Sequence, residues 1–133
     1  MNRFYVDSSA LVSILFNEPH ADFYRETLNK ADEFMSSYLL EAEVYASAAR
    51  EKIPLEEADG VIKFVVPIIP ARSLRDEYRE IFSHGYCRGG DAHHLATLLY
   101  VDPKRSELSL LTADRSQAAI AEKIGIRVLR DTE

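Results

Sequence analysis

The chain has 133 residues, 47% of them hydrophobic and 29% charged, which is enough apolar material for one core of ordinary domain size. A net charge of −6 argues against a protein that holds nucleic acid by a broadly basic surface, although acid gathered at one site is compatible with a locally basic rim. No apolar run is long enough to cross a bilayer, and Met1-Asn2-Arg3-Phe4 lacks a charged-then-apolar leader, so an unexported, cytoplasmic, single-domain protein over 1–133 is expected.

Arg3 to Val6 reads as a short buried strand, rich in aromatic and β-branched residues. Asp7-Ser8-Ser9 supplies capping side chains for a helix running from Ala10 to Phe16, which Asn17-Glu18-Pro19 stops. A second helix covers His20 to Lys30, and Glu33 to Ser37 is a weak strand placed by its position between helical stretches. Tyr38 to Lys52 is strongly helical, with alanines at 42, 46, 48 and 49. Pro54 opens a further helix toward Phe64, weakened by Gly60. Val65 to Ile69 predicts a strand near a sheet edge, because Pro67 has no N–H for a ladder. A charged helix follows from Ser73 to Gly85. After a turn at Gly89-Gly90 another helix runs from Asp91 to Tyr100. Leu108 to Thr112 is a strand, Asp114 to Lys123 a helix and Ile126 to Leu129 a last strand. Strands alternating with helices predict an α/β fold, a mostly parallel central sheet between two helix layers. The lone Cys87 has no disulfide partner within the chain and reads as a small apolar filler.

Four carboxylates, Asp7, Glu43, Asp91 and Asp114, fall at or near helix starts, where connections open toward the carboxyl ends of the strands. Each aspartate taken alone has an innocent reading as an N-cap, favoured by the helix dipole. Glu43 is not explained that way. On a helical wheel it falls beside Leu39, Ala42 and Ala46, a face on which a carboxylate needs a partner, whereas Glu41 lies on the nearly opposite, solvent side. An ion pair with a nearby arginine is the rival explanation for Glu43. Converging acids repel one another unless a cation joins them, and an all-carboxylate set prefers Mg²⁺ or Mn²⁺ to zinc. Such ions support in-line hydrolysis of a phosphodiester with no protein nucleophile.

Other chemistries fit less well. The chain has no phosphate-cradling glycine loop followed by lysine and no G-x-S-x-G elbow. An aspartyl-nucleophile phosphatase would share the strand-then-Asp opening but wants a second Asp where Ser9 stands. His94, three residues after Asp91, shares its helix face and could lean toward the site; the favoured reading has one of His93 and His94 in the core and the other in solvent. The seven tyrosines read as core and surface packing. Arg88 and Arg115, on loops flanking the acids, are the candidates for contacting phosphate, while Arg72, Arg75 and Arg79 read as a solvated helix face.

Val6-Asp7-Ser8-Ser9-Ala10-Leu11, Ser37 through Val44, Gly90 through Thr97 and Leu111-Thr112-Ala113-Asp114-Arg115 occur in this order. Together they resemble the PIN domain family, most of all the VapC-type toxins of prokaryotic toxin–antitoxin pairs. The resemblance covers nearly the whole chain. It implies a three-layer α/β/α sandwich and an Mg²⁺- or Mn²⁺-dependent endoribonuclease with Asp7, Glu43, Asp91 and Asp114 as catalytic, metal-holding acids. By the same resemblance Ser9 and Thr112 support the site by hydrogen bonding. A homodimer is implied too, neutralised by an antitoxin protein whose tail lies in the acidic groove and places an Arg or Lys there. The alternative expectation is a catalytically silent module whose acidic groove only docks a basic peptide.

Overall fold

Strand and helix alternate as the periodicity predicts in the computed structural model, which describes residues 1–131. Strand β1 (Arg3–Val6) leads into helices α1 (Ser8–Leu15) and α2 (Ala21–Asn29), and β2 (Glu33–Ser37) into α3 (Leu40–Arg50) and α4 (Leu55–Ile62). Next come β3 (Val66–Ile68), α5 (Arg75–His84) and α6 (Gly89–Val101), then β4 (Ser109–Leu111), α7 (Arg115–Lys123) and β5 (Arg127–Leu129). All strand pairs are parallel, in the order β3-β2-β1-β4-β5. The chain therefore builds outward from β1 to β3 and then returns to the other side of β1. That reversal puts a topological switch point between the carboxyl ends of β1 and β4, where such sheets bind ligands.

The pleat of β1 sorts the core into two halves. Phe4 and Val6 face one helix layer, packed with Leu11 of α1, Tyr24 of α2, Leu40 and Val44 of α3, and Ala58 of α4. Tyr5 faces the other, with Ile81 of α5, Leu95 and Leu98 of α6, and Ile120 of α7. This is the expected three-layer α/β/α sandwich, with a five-stranded parallel sheet at its centre. Cys87 is buried in the second half as apolar filler, and burial first, then the charges of Asp91 and Asp114, push its thiol up.

Two local expectations change, and one about a sheet edge holds. Helix α6 begins at Gly89, so Gly89-Gly90 is its first turn rather than a loop before it. On α3 the buried face is Leu40-Val44-Ala48, while Leu39, Ala42 and Ala46 are exposed. Alanine is small enough to tolerate either side, so the alanines misplace the core face that Leu40 and Val44 define. β3 is an edge strand, as Pro67 predicts. The Tyr38 N–H donates to the Ile68 carbonyl at 3.2 Å, which turns Ile68 toward β2 and leaves Pro67 facing outward. No helix among the described residues is long and apolar enough to span a membrane.

Candidate active site

The switch point is occupied by Asp7, one residue past β1 and only 3% exposed. Its N–H donates to Leu111 O at 3.0 Å, extending the β1–β4 ladder to the crest. Asp7 holds the N-cap position of α1, yet its carboxylate makes no cap hydrogen bond. Instead Oδ2 accepts from Ser9 Oγ at 2.5 Å and Thr112 Oγ1 at 2.8 Å. Those hydroxyls are themselves oriented: Ser9 Oγ accepts the Ala113 N–H at 2.9 Å and Thr112 Oγ1 the Asp114 N–H at 3.0 Å. Two backbone amides thus aim two hydroxyl protons at one oxygen. Oδ1 keeps only a long contact from Ser8 Oγ, 3.5 Å, and His94 Nε2 at 3.9 Å.

The other aspartates behave differently. Asp114 is a working N-cap of α7, accepting from the N–H groups of Ser116 at 2.9 Å and Gln117 at 3.1 Å through Oδ1. Asp91 is no cap. It lies in the first turn of α6, after Arg88 at the N-cap position. Asp91 and Asp114 together line a cavity of about 210 Å³ with Tyr86, Cys87, Arg88 and Ser116.

Glu43 reaches the crest from the opposite helix layer. The helix begins at Leu40, which puts both Glu41 and Glu43 in its first turn, so the dipole does favour acid there. Glu43 is half-buried rather than buried, and its partner is a histidine rather than an arginine: His94 Nε2 stands 2.6 Å from Oε1. Glu41 is exposed. Of the two glutamates, Glu43 is the one that meets His94, and it does so from a face that is not the apolar one. The carboxylate lies close to the first turn of α6, where a Cβ built at Gly90 would stand in ordinary contact with Glu43 Oε2 at 3.8 Å.

His94 is 1% exposed and bridges Glu43 to the sheet, with Nδ1 2.8 Å from the Tyr5 hydroxyl. Burial lowers its pKa, but the Glu43 hydrogen bond and the charges of Asp7, Glu43 and Asp91 outweigh that and raise it. The Tyr5 hydroxyl in turn accepts the Ser37 N–H at 3.0 Å, and its own pKa is raised by burial. His93 does not point into bulk solvent as expected. It is partly buried between Ser37 Oγ at 2.6 Å and the Tyr78 hydroxyl at 3.1 Å, and burial pushes its pKa down. The sequence reads Tyr5 as packing and gives Ser37, at the start of a motif, no role of its own. The usable signal was the pleat, which puts Tyr5 and Asp7 on one side of β1.

The charges remain unbalanced. Burial first, then Asp114 and Asp7, push the Asp91 carboxyl up to about 6, against the opposing pull of His94 and Arg88. Among the described residues no three His, Cys, Asp or Glu side chains close on one point that would hold an ion as they stand. The fit to a divalent cation therefore rests on the kind of donor. Asp7, Asp91 and Asp114 offer oxygen alone, and a positive charge among them would remove the repulsion that raises Asp91. Of the expected phosphate contacts, Arg88 lines the cavity, while Arg115 is exposed on the first turn of α7, outside its lining.

Residues 4–131 match the family pattern of the PIN domain. The chain belongs to the PIN domain family, whose members are generally nucleases. A comparison with curated proteins found no match.

Proposed function

We propose that this protein is a divalent-metal-dependent endoribonuclease, hydrolysing RNA phosphodiesters in the cytoplasm as the toxin of a VapBC-type pair. The observation that carries the reading is Asp7: a nearly buried carboxylate at the switch point, with one oxygen satisfied by aimed hydroxyls and the other holding only long contacts to Ser8 and His94 among the described residues. Asp7 and Asp91 would be the principal holders of Mg²⁺ or Mn²⁺, with Asp114 and Glu43 completing the acidic set. When bound, such an ion polarises a phosphate oxygen and lowers the pKa of water.

The chain's own residues supply the rest. Ser9 and Thr112 lock the rotamer of Asp7, so its free oxygen keeps one direction without reorganising during the reaction. His94 holds Glu43 over the crest, and against the pull of burial the Glu43 hydrogen bond and the charges of Asp7, Glu43 and Asp91 favour its protonated form. Arg88 on the cavity wall would meet a phosphate of the substrate. The family resemblance supports two partners, a second copy of the chain and an antitoxin whose basic side chain enters the acidic crest. The test is cleavage of a structured RNA pool by wild type and Asp91→Ala in Mn²⁺, Mg²⁺ or EDTA. Cleavage requiring both metal and Asp91 is expected, with a loss of at least about 100-fold in the variant. Cleavage that persists in EDTA or in Asp91→Ala would overturn the assignment, and RNA binding without turnover would favour the silent docking module.

A further inference from the structure

Residues 85–88 carry the chain from α5 to α6 along the rim of the Asp91–Asp114 cavity. Cys87, in the middle, turns inward to the core. Its neighbours turn out: Arg88 is exposed, and Tyr86 is 82% exposed, more than any large hydrophobic residue except Met1. Such alternation belongs to extended backbone, and Arg88 has extended φ and ψ of −68° and 155°. In that geometry residues two apart share a side, about 6.6 Å from one another. Both side chains line the cavity that Asp91 and Asp114 line.

Gly85 sets this arrangement. Its φ is +152°, and a Cβ there would stand 3.1 Å from Ile120 Cδ1 on α7. A side chain at position 85 would be strained by that backbone conformation and would crowd the end of the Ile120 side chain. The backbone, not packing of the ring, therefore puts Tyr86 at the rim. Among the described residues Tyr86 makes no hydrogen bond and no ring contact.

A lone exposed tyrosine on an ordinary surface carries no message. This one has a guanidinium beside it and two carboxylates in the same cavity. We propose that Tyr86 is a substrate-binding residue, whose ring stacks on an unpaired base next to the scissile phosphodiester while Arg88 meets the adjoining phosphate. The inference rests on the nuclease reading above and adds to it what selects the substrate. Every base has a π-face, so stacking tolerates sequence but demands an unpaired, splayed nucleotide. In a duplex those faces are covered by neighbouring bases, and Tyr86 has nothing to reach.

The test uses the full chain with Asp91→Asn, to prevent turnover, and a short single-stranded RNA carrying 2-aminopurine, with Mn²⁺ present. Adding Tyr86→Ala is expected to weaken binding about 5- to 150-fold and abolish fluorescence quenching, while Tyr86→Phe keeps both. A duplex of the same sequence should bind more weakly and ignore Tyr86. Because the ring is exposed, the alanine variant should melt with the parent. Binding within two-fold of the parent after Tyr86→Ala overturns the proposal, as does an equal loss on duplex or no RNA binding by any variant. Cleavage separates the two readings. If wild type shows Tyr86-dependent quenching but cleaves no RNA, the nuclease reading fails and the stacking stands. If wild type cleaves and Tyr86→Ala cleaves with unchanged KM and kcat, the stacking fails and the nuclease reading stands.

Discussion

Two aspartates sit at opposite ends of the same sheet, one buried and one partly buried, and have opposite surroundings. Asp102, 4% exposed, follows α6 at the end where the strands begin, beside a cavity of about 300 Å³. Its carboxylate accepts the N–H groups of Ser106 at 3.2 Å, Glu107 at 2.9 Å and Leu108 at 2.9 Å. Burial works against its charge, but those amides and the nearby Arg3 outweigh it and hold the carboxyl below its ordinary range. Asp91, at the end where the strands finish, has no such cradle, and its carboxyl is pushed up to about 6 by burial, Asp114 and Asp7. Neither burial nor a neighbouring cavity marks a reactive site, since Asp102 has both and the cavity there is the larger. What distinguishes the crest is acid whose charge the protein leaves unanswered.

That contrast can be broken by mutation. Asp102→Ala should cost about 3 kcal/mol, because three amides lose a charged acceptor at once, lowering Tm by about 10 °C. Its RNA cleavage at 25 °C should stay within about two-fold of wild type, measured as kcat/KM. Loss of cleavage in a folded Asp102→Ala would erase the division between structural and functional acid. Thr112→Val tests the crest more gently, removing one aimed hydroxyl from Asp7 while Ser9 remains. Activity and Mn²⁺ affinity should fall about 10-fold, read from cleavage against metal concentration; an unchanged metal dependence would deny Thr112 its orienting part.

The smallest effect concerns pH in metal-free protein. The folded pKa of Asp91 lies above the unfolded value of 3.8, so its contribution to stability is fully present below pH 3.8 and is lost as pH rises through about 6. Asp91→Asn should therefore stabilise the EDTA-treated protein above pH 6 by about 1 kcal/mol, after discounting for solvent near the carboxyl, and hardly at all at pH 4. The check is denaturant unfolding at both pH values. Asp102, with its lowered pKa, predicts the reverse trend: stability present above the ordinary carboxylate range and lost as pH falls.

Much of this architecture is legible in the residues. Alternating β-branched runs and helical stretches define the layers, and Pro67 marks an edge. Asp7 follows its short strand directly and Asp114 follows shortly after another, each at the start of a helix. The misreadings have separate physical origins. Ala42 and Ala46 carry too little hydrophobic free energy to say which side of α3 is buried, so Glu43 was chosen on the wrong face. Glycine's turn signal hid the first turn of α6 at Gly89-Gly90. Tyr5, Ser37 and His94 form one polar network from three distant segments, and no local pattern encodes a contact between them. Tyr86 differs from the buried Tyr5 and Tyr24 by position in the fold, not by its flanking sequence.

The outward turn of Pro67 bears on the fate of the protein at high concentration. An open parallel sheet presents at each margin a template on which another chain can grow. On the β3 side the outward-facing residue in mid-strand has no hydrogen to give, and on the β5 side Arg127 is exposed and charged. A five-stranded sheet closed at one border by an imino acid and guarded at the other by a cation resists growth into fibrils, so self-association must proceed through side chains rather than through a shared ladder.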